Sequence, residues 1–268
     1  MHLTVCLKQI LDPEIPPSEF RLDSSRRQAA LAGAQLVTSI FDQNALEVAL
    51  QFREQSGEGK ITALTLGPAS ATDTLRRALS LRADEAIRLR EEEFPGLDAY
   101  GAARVLAAAI RKLTPAVDLV LCGREAGDWH GAQLGAFLAA ELGFGYLSLV
   151  SSVRAEGDAL RLLRQADDAR EIFQARAPLV LTVTNDEGNL PRLPKVKDNM
   201  LAFRKVVPEW GPGDLALDPA QLAGPNAALE LQGLEIPIHD RQCQMIGGED
   251  VGQKAAELIR RLAEIQVV

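Results

Sequence analysis

Leu119-Val120-Leu121-Cys122-Gly123-Arg124-Glu125-Ala126-Gly127-Asp128-Trp129-His130-Gly131-Ala132-Gln133-Leu134-Gly135-Ala136 reads as a short buried strand, a glycine-punctuated loop and the start of a helix. Gly123, Gly127 and Gly131 permit backbone conformations that other residues resist. The small residues Ala132, Gly135, Ala136 and Ala139 let that helix approach its neighbours closely. Unpaired N–H groups at a helix start, with the macrodipole behind them, suit a phosphate. The loop also follows the carboxyl end of a strand, where open α/β sheets bind ligands. The same features serve a tight strand-to-helix turn packed for space, and the loop alone leaves both readings open.

Upstream, Leu3–Leu7, Ile61–Leu66, Ala86–Leu89 and Leu119–Cys122 are apolar runs of the length expected for buried parallel strands. Helical patterns fall between them over Phe41–Arg53, Ala71–Leu81 and Ala99–Leu113, and a fourth covers about Ala132–Leu142 before Gly143. Strand–helix–strand repetition predicts an α/β fold with a doubly wound, mostly parallel sheet, because crossover helices must cover both faces. After Gly143 the pattern changes. Leu147–Arg154, Ala159–Arg164 and Glu171–Gln174, separated by Gly157-Asp158 and Asp167-Asp168, predict an antiparallel meander, and Leu179–Thr184 returns to a buried strand.

Asn185–Val207 mixes Pro191 and Pro194 with Arg192, Lys195, Lys197, Arg204 and Lys205, and Val196, Met200 and Leu201 add apolar contacts among the charges. It reads as a solvated loop or as a stiffened docking loop. Pro208 to Pro225 is rich in Gly, Pro and Asp and reads as a linker. A last helix over about Asp250–Ala263 aligns Val251, Ala255, Leu258, Ile259 and Leu262 on one face, which must lie on its own body or a partner. These features divide the chain into an α/β domain over 1–207, including the proline-containing loop at 189–207, and a linker with a C-terminal arm over 208–268.

The 268 residues include 29 basic and 37 acidic side chains, a net charge of −8 that argues against nonspecific binding to nucleic acid. No apolar run reaches the ~18 residues of a membrane span, and no signal peptide is evident. Cys6, Cys122 and Cys243 are odd in number and far apart, which fits structural thiols in a reducing cytoplasm better than disulfides or zinc. No G-x-G-x-x-G follows the first strand, and neither a Walker loop nor a G-x-S-x-G elbow occurs. His2, His130 and His239 have no metal spacing. His130 suits a phosphate contact or a solvated loop, and Trp129 an adenine cover or packing on its own domain. Without an acid–base or nucleophilic constellation, the sequence reads as a binder or carrier rather than an enzyme.

Several segments together are similar to a known family. Val5-Cys6-Leu7-Lys8-Gln9, then Phe41-Asp42 before a Glu-Val-Ala-Leu helix, Leu66-Gly67-Pro68 with Thr74-Leu75-Arg76-Arg77-Ala78-Leu79, and Gly123–Gly135 occur in order. The whole chain resembles the β subunit of electron-transfer flavoproteins. Pro191-Arg192 through Arg204-Lys205 resembles that family's partner-recognition loop, and Cys243-Gln244-Met245-Ile246-Gly247-Gly248-Glu249 with the last helix resembles the arm that reaches onto the α subunit.

The resemblance implies an adenine nucleotide α-hydrolase-like fold and a heterodimer with an α subunit that carries most contacts to the electron-transferring FAD. This chain would hold AMP or a second FAD. By resemblance, Cys6 and Lys8 face the nucleotide from the first strand, and Ser39, Phe41 and Asp42 form the adenine-side loop. Gly123, Arg124, Gly127, Asp128, His130, Gly131, Ala132, Gln133 and Leu134 cradle the phosphates. Pro191, Arg192, Val196 and Met200 would meet a redox partner, a dehydrogenase or an electron acceptor, with no insertion into a membrane. Four places depart from the family pattern: Ser39-Ile40 for Asn-Pro, Trp129-His130-Gly131 in the phosphate loop, Gln165 for a Glu after Arg164, and Val196-Lys197-Asp198-Asn199-Met200 in the recognition loop. Two other classes stay in view. An adenylating or pyrophosphatase-type enzyme would need a serine–glycine phosphate loop where Lys8-Gln9-Ile10-Leu11-Asp12-Pro13 stands. A stand-alone homodimeric nucleotide-binding module leaves the tail Gly211–Val268 without a purpose.

Overall fold

A computed structural model describes residues 1–16, 18–23, 28–30, 33–223, 226–236 and 243–267. The chain opens with β1 (His2–Cys6), β2 (Gln9–Leu11), β3 (Leu22–Asp23), β4 (Gln28–Ala29) and β5 (Leu36–Thr38), followed by α1 (Ile40–Ser56). Next come β6 (Lys60–Gly67), α2 (Thr72–Ser80), β7 (Glu85–Arg90), α3 (Ala99–Lys112), β8 (Leu119–Gly123) and α4 (Leu134–Leu142). The meander is β9 (Gly145–Glu156), β10 (Ala159–Gln165) and β11 (Arg170–Ala175), after which come β12 (Leu179–Val183), α5 (Val196–Arg204), β13 (Glu209–Trp210), α6 (Pro212–Leu215) and α7 (Val251–Glu264).

One nine-stranded sheet runs in the order β11-β10-β9-β12-β8-β1-β6-β7-β13. Its pairs are parallel from β9 to β13, and only β9–β10 and β10–β11 are antiparallel, as the sequence predicts. The central strands are buried on both faces, so they read as continuous apolar runs. Their alternation sorts the core into two layers. Leu3, Val5, Leu119 and Leu121 point toward α1 and α2; Cys6, Val120 and Cys122 point toward α3 and α4. Cys6 is therefore a core residue of the α3–α4 layer.

The chain leaves β1 for β6 on one side and β7 beyond it, then returns to place β8 on β1's other side. The strand order thus reverses between β1 and β8, the kind of place where open α/β sheets bind ligands in a crevice outside the carboxyl ends of the strands.

Two stretches differ from their sequence reading. Within Asn185–Val207 the chain forms α5, whose apolar residues are mostly exposed and so give no buried periodicity. The Gly- and Pro-rich stretch from Pro208 contributes β13, which pairs with β7 at the edge of the sheet, and Leu215 and Leu222 enter the core. Gly224 and Pro225, at the end of that stretch, lie outside the described residues. Internal contacts divide the chain after Gly233. The second unit, Leu234–Val268, carries α7, started by Asp250, whose side chain accepts the Gln253 N–H at 2.8 Å. Cys243, in this unit, is exposed, unlike buried Cys6 and Cys122.

Candidate functional site at the ends of β1 and β8

The segments after β1 and β8 meet at the first turn of α1. Asp42 joins them: Oδ2 accepts the Lys8 N–H and Oδ1 the Gly123 N–H, each at 2.8 Å. Burial raises the Asp42 pKa from 3.8 to about 7, and the Gly123 and Lys8 amides and the Lys8 ammonium oppose the rise. Each carboxylate oxygen thus accepts one backbone amide, and Asp42 ties the two strand ends to α1. Gly123 is needed for this approach, because a Cβ there would lie 2.7 Å from Asp42 Oδ1 and from Phe41 Cβ.

A second set of bonds closes the loop. Ser39 is fully buried; its N–H donates to Lys8 O at 2.9 Å, and its Oγ accepts the Gly127 N–H at 3.3 Å. Lys8 Nζ pairs with Asp128 at 2.6 Å. Gly127 packs on Ile10, whose Cδ1 would lie 3.0 Å from an added Cβ. The loop then rises into solvent: Trp129 is 54% exposed, and Gly131, Ala132 and Gln133 are exposed. His130 and Ala132 have φ of +50° and +52°, left-handed conformations that residues with a Cβ adopt at a cost. No side chain caps α4 at Gln133. Cys6 burial pushes its thiol up to about 12, with the Asp42 charge adding to the effect, so it is an inert core thiol.

Arg124 leaves β8 with its N–H donating to Val183 O at 2.8 Å and its guanidinium lying 4.3 Å from the centre of the Phe41 ring. Phe41 is thus covered by a cation on one face. One feature here suits a phosphate: the Arg124 Nε is buried with no acceptor among the described residues, next to the exposed turn 128–133.

Comparison with known proteins bears on this arrangement. The profile of the Electron transfer flavoprotein domain matches residues 29–213. An electron transfer flavoprotein subunit beta from Megasphaera elsdenii is 33% identical over 260 residues, covering 95% of this chain and 94% of the relative. The chain belongs to the electron transfer flavoprotein β-subunit family. The caffeyl-CoA reductase-Etf complex subunit CarD of Acetobacterium woodii is 30% identical over 269 residues, the full length of both chains. Protein FixA of Azorhizobium caulinodans is 30% identical over 84% of this chain and 80% of its own.

Within this family member, the segment expected to meet a partner splits by direction. Val196 and Met200 are 79% and 61% exposed, and Phe203 continues the same apolar stripe at helical spacing. Arg192 instead turns inward. Its Nε and Nη2 donate to the two oxygens of Glu47 at 2.7 Å each, and it also pairs with Glu54. Pro191 lines a small cavity beside it with Thr38, Thr74 and Arg77. Asn44 and Gln51 of α1 hold the preceding turn, donating to Asn189 O at 2.9 Å and Gly188 O at 2.8 Å.

Reading the sequence missed Glu125, whose Oε1 lies 3.2 Å from Arg124 and 3.5 Å from His130 Nδ1. It also missed the Gln9–Ser70 side-chain pair, which ties the end of β6 to the end of β1. Ser70 lies two residues after Leu66-Gly67-Pro68, and that strand end was the available signal. At Gln165 the missing acid is replaced across the strand pair: Arg164 pairs with Glu171 at 2.6 Å, and Gln165 bonds Asp186. No helix among the described residues is long and apolar enough to cross a membrane.

Proposed function

We propose that this chain is the β subunit of a heterodimeric electron transfer flavoprotein and holds an adenine nucleotide, AMP or a second FAD, in the crevice between β1 and β8. With its α subunit it relays electrons in the cytoplasm from a dehydrogenase to an acceptor. The observation that carries the nucleotide reading is the glycine loop Gly123–Gly131, clipped to α1 by Asp42 and Ser39 at the point where strand order reverses.

In this reading the amides of the 127–133 loop and of the first turn of α4 meet the phosphates, with Gln133 and Arg124 beside them. Lys8, Asp128 and His130 form the rim, and Leu134 closes the inner end. Ser39, Phe41 and Asp42 shape the adenine side. Bound FAD supplies the redox chemistry, and the protein supplies position, electrostatics and exclusion of water. The exposed stripe of Val196 and Met200 contacts the redox partner, and Pro191 and Arg192 hold its base. In α7, exposed Val251, Leu258 and Ile259 offer the apolar face that covers, and is covered by, the α subunit.

The test is a nucleotide inventory. The chain is co-expressed with its α subunit, the complex is purified, ligands are released with acid, and FAD and AMP are counted per heterodimer. One FAD with one AMP makes the crevice a structural nucleotide site, and two FAD make it a second redox centre. A colourless complex refutes the electron-carrier reading, and one FAD with no second nucleotide refutes the crevice.

A further inference from the structure

Arg76 and Arg77, within the motif Thr74-Leu75-Arg76-Arg77-Ala78-Leu79, lie on α2, and α2 packs against α5. Burial does little to hold α5 there. Of its nine residues Ala202 alone is buried, while Val196, Met200, Leu201 and Phe203 are exposed. No side chain caps its first turn, and a helix this short does not persist by itself in water.

Cations from the body of the protein grip both of its ends. At the carboxyl end, Arg76 Nη1 donates to Ala202 O at 2.7 Å and to Lys205 O at 2.6 Å. Carbonyls at a helix end are short of intrahelical donors and carry the negative end of the macrodipole, so a guanidinium suits them. The Arg76 Cζ also lies 6.0 Å from the centre of the Phe203 ring. At the amino end, Arg82 Nη2 is 3.1 Å from Asp198 Oδ2, but Arg82 is 64% exposed, a setting in which an ion pair adds little. Lys205 Nζ donates to Ala83 O and Asp84 O at 3.1 and 3.2 Å, through a long flexible stem. Arg77 instead lines the small cavity with Thr38 and Pro191. Arg76 therefore makes the shortest ties between the body and the backbone of α5 among the described residues.

We propose that Arg76 is a positioning residue for partner docking: it fixes α5 on α2, so that the stripe of Val196, Met200 and Phe203 is already in place when the redox partner arrives. The inference rests on that stripe being the surface that meets the partner. A helix ordered in advance spares the encounter the cost of ordering it, so the clasp acts on affinity for the partner and not on the electron-transfer step.

Four forms of the αβ complex test this: the parent, Arg76→Met, Arg76→Lys and Val196→Asp. Methionine keeps an apolar stem without donors, and lysine keeps the charge and can still reach a carbonyl. Amide exchange is followed over 196–205 and over α1, and KM and kcat are measured with the dehydrogenase that reduces the parent complex. Arg76→Met should speed exchange over 196–205 by about tenfold or more and leave α1 unchanged. It should raise KM by about three- to tenfold with kcat within about twofold of the parent. Arg76→Lys should recover part of both losses. Unchanged exchange over 196–205, or faster exchange in α1 as well, overturns the clasp. Faster exchange with an unchanged KM overturns the docking role of Arg76 while Val196→Asp still raises KM. If Val196→Asp also leaves KM unchanged, the docking reading of the stripe falls, and the inference with it.

Discussion

Alanine at Gly135 should force α4 off the sheet, and the structure says against what. A Cβ at this position in the first turn of α4 would lie 2.2 Å from Thr182 Cγ2, 3.3 Å from Tyr146 Cε2 and 3.4 Å from Cys122 Sγ. Carbon atoms settle about 3.5–4.0 Å apart, so the overlap with Thr182 is roughly 1.3–1.8 Å. Thr182 is buried in β12, with its Oγ1 3.4 Å from the Leu149 N–H and 3.5 Å from Tyr146 OH, so it has little room to turn. Overpacking costs about 1–3 kcal/mol, against which alanine returns about 0.8–1.0 kcal/mol of helix propensity over glycine. An overlap this large belongs to the upper end of that cost, about 2–3 kcal/mol, so the expected net loss is about 1–2 kcal/mol, or a fall in Tm of about 2–8 °C for a chain of this size. Thr182→Ser removes Cγ2 and keeps the hydroxyl, at a cost of about 1 kcal/mol for the buried methyl. Combined, the two substitutions should cost less than their sum by about 1 kcal/mol or more, because the methyl that the alanine strikes is gone. Thermal unfolding of the αβ complex followed by circular dichroism gives all four corners of this cycle. An unchanged Tm for Gly135→Ala, or strict additivity with Thr182→Ser, would refute the close-packing role of this glycine.

Asp42, with its pKa raised from 3.8 to about 7 by burial, binds a proton more tightly folded than unfolded. That stability is present in acid and is lost as pH rises through 7, a loss of roughly 2–3 kcal/mol between pH 5 and pH 8. Urea unfolding across that range should show the slope in the parent and not in Asp42→Asn; equal slopes would remove Asp42 as its source. Arg192→Leu leaves Glu47, 5% exposed, without its partner, and the half-exposed setting of Arg192 limits the cost to about 1–3 kcal/mol. Amide exchange over 188–196 should speed up, and unchanged protection there would speak against an anchoring role. Val196→Asp changes stability by no more than about 0.5 kcal/mol, because the side chain is exposed, yet should raise the KM for a dehydrogenase partner by about tenfold or more. An unchanged KM would take the docking role away from this stripe.

The parallel sheet was legible because its strands are buried on both faces, and their apolar runs announce them within a residue or two of the observed ends. The same logic hid α5, where Ala202 is the buried residue and Val196, Met200 and Phe203 face outward, and it hid β13, which is two residues long. At the crevice, the glycine loop was visible but the roles of its neighbours were not. Asp42 acts through amides 34 and 81 residues away, a pairing no local pattern encodes. Period-two alternation along β1 places Cys6 in the α3–α4 layer with Cys122. Gly135, legible in the sequence as a small residue that allows close approach, does so against Thr182 of β12, a partner no local pattern names.

What joins these parts is α1. Its first turn holds the ends of β1 and β8 through Asp42, while one face of its later turns, Asn44, Glu47, Gln51 and Glu54, holds residues 188–192 beneath the exposed stripe of α5. The spacing of three, four and three residues puts those four side chains on one line along the helix. The ends of β1 and β8 and the segment 188–192 are therefore fixed by the first turn and the length of one helix, and neither depends on loop contacts alone for its position. For a protein whose redox chemistry belongs to a bound flavin, geometry is what the chain contributes. A carrier of this kind needs no nucleophile and no acid–base pair, and the buried charges found here, Asp42, Glu47 and Arg88, are spent on fixing backbone and partners in place.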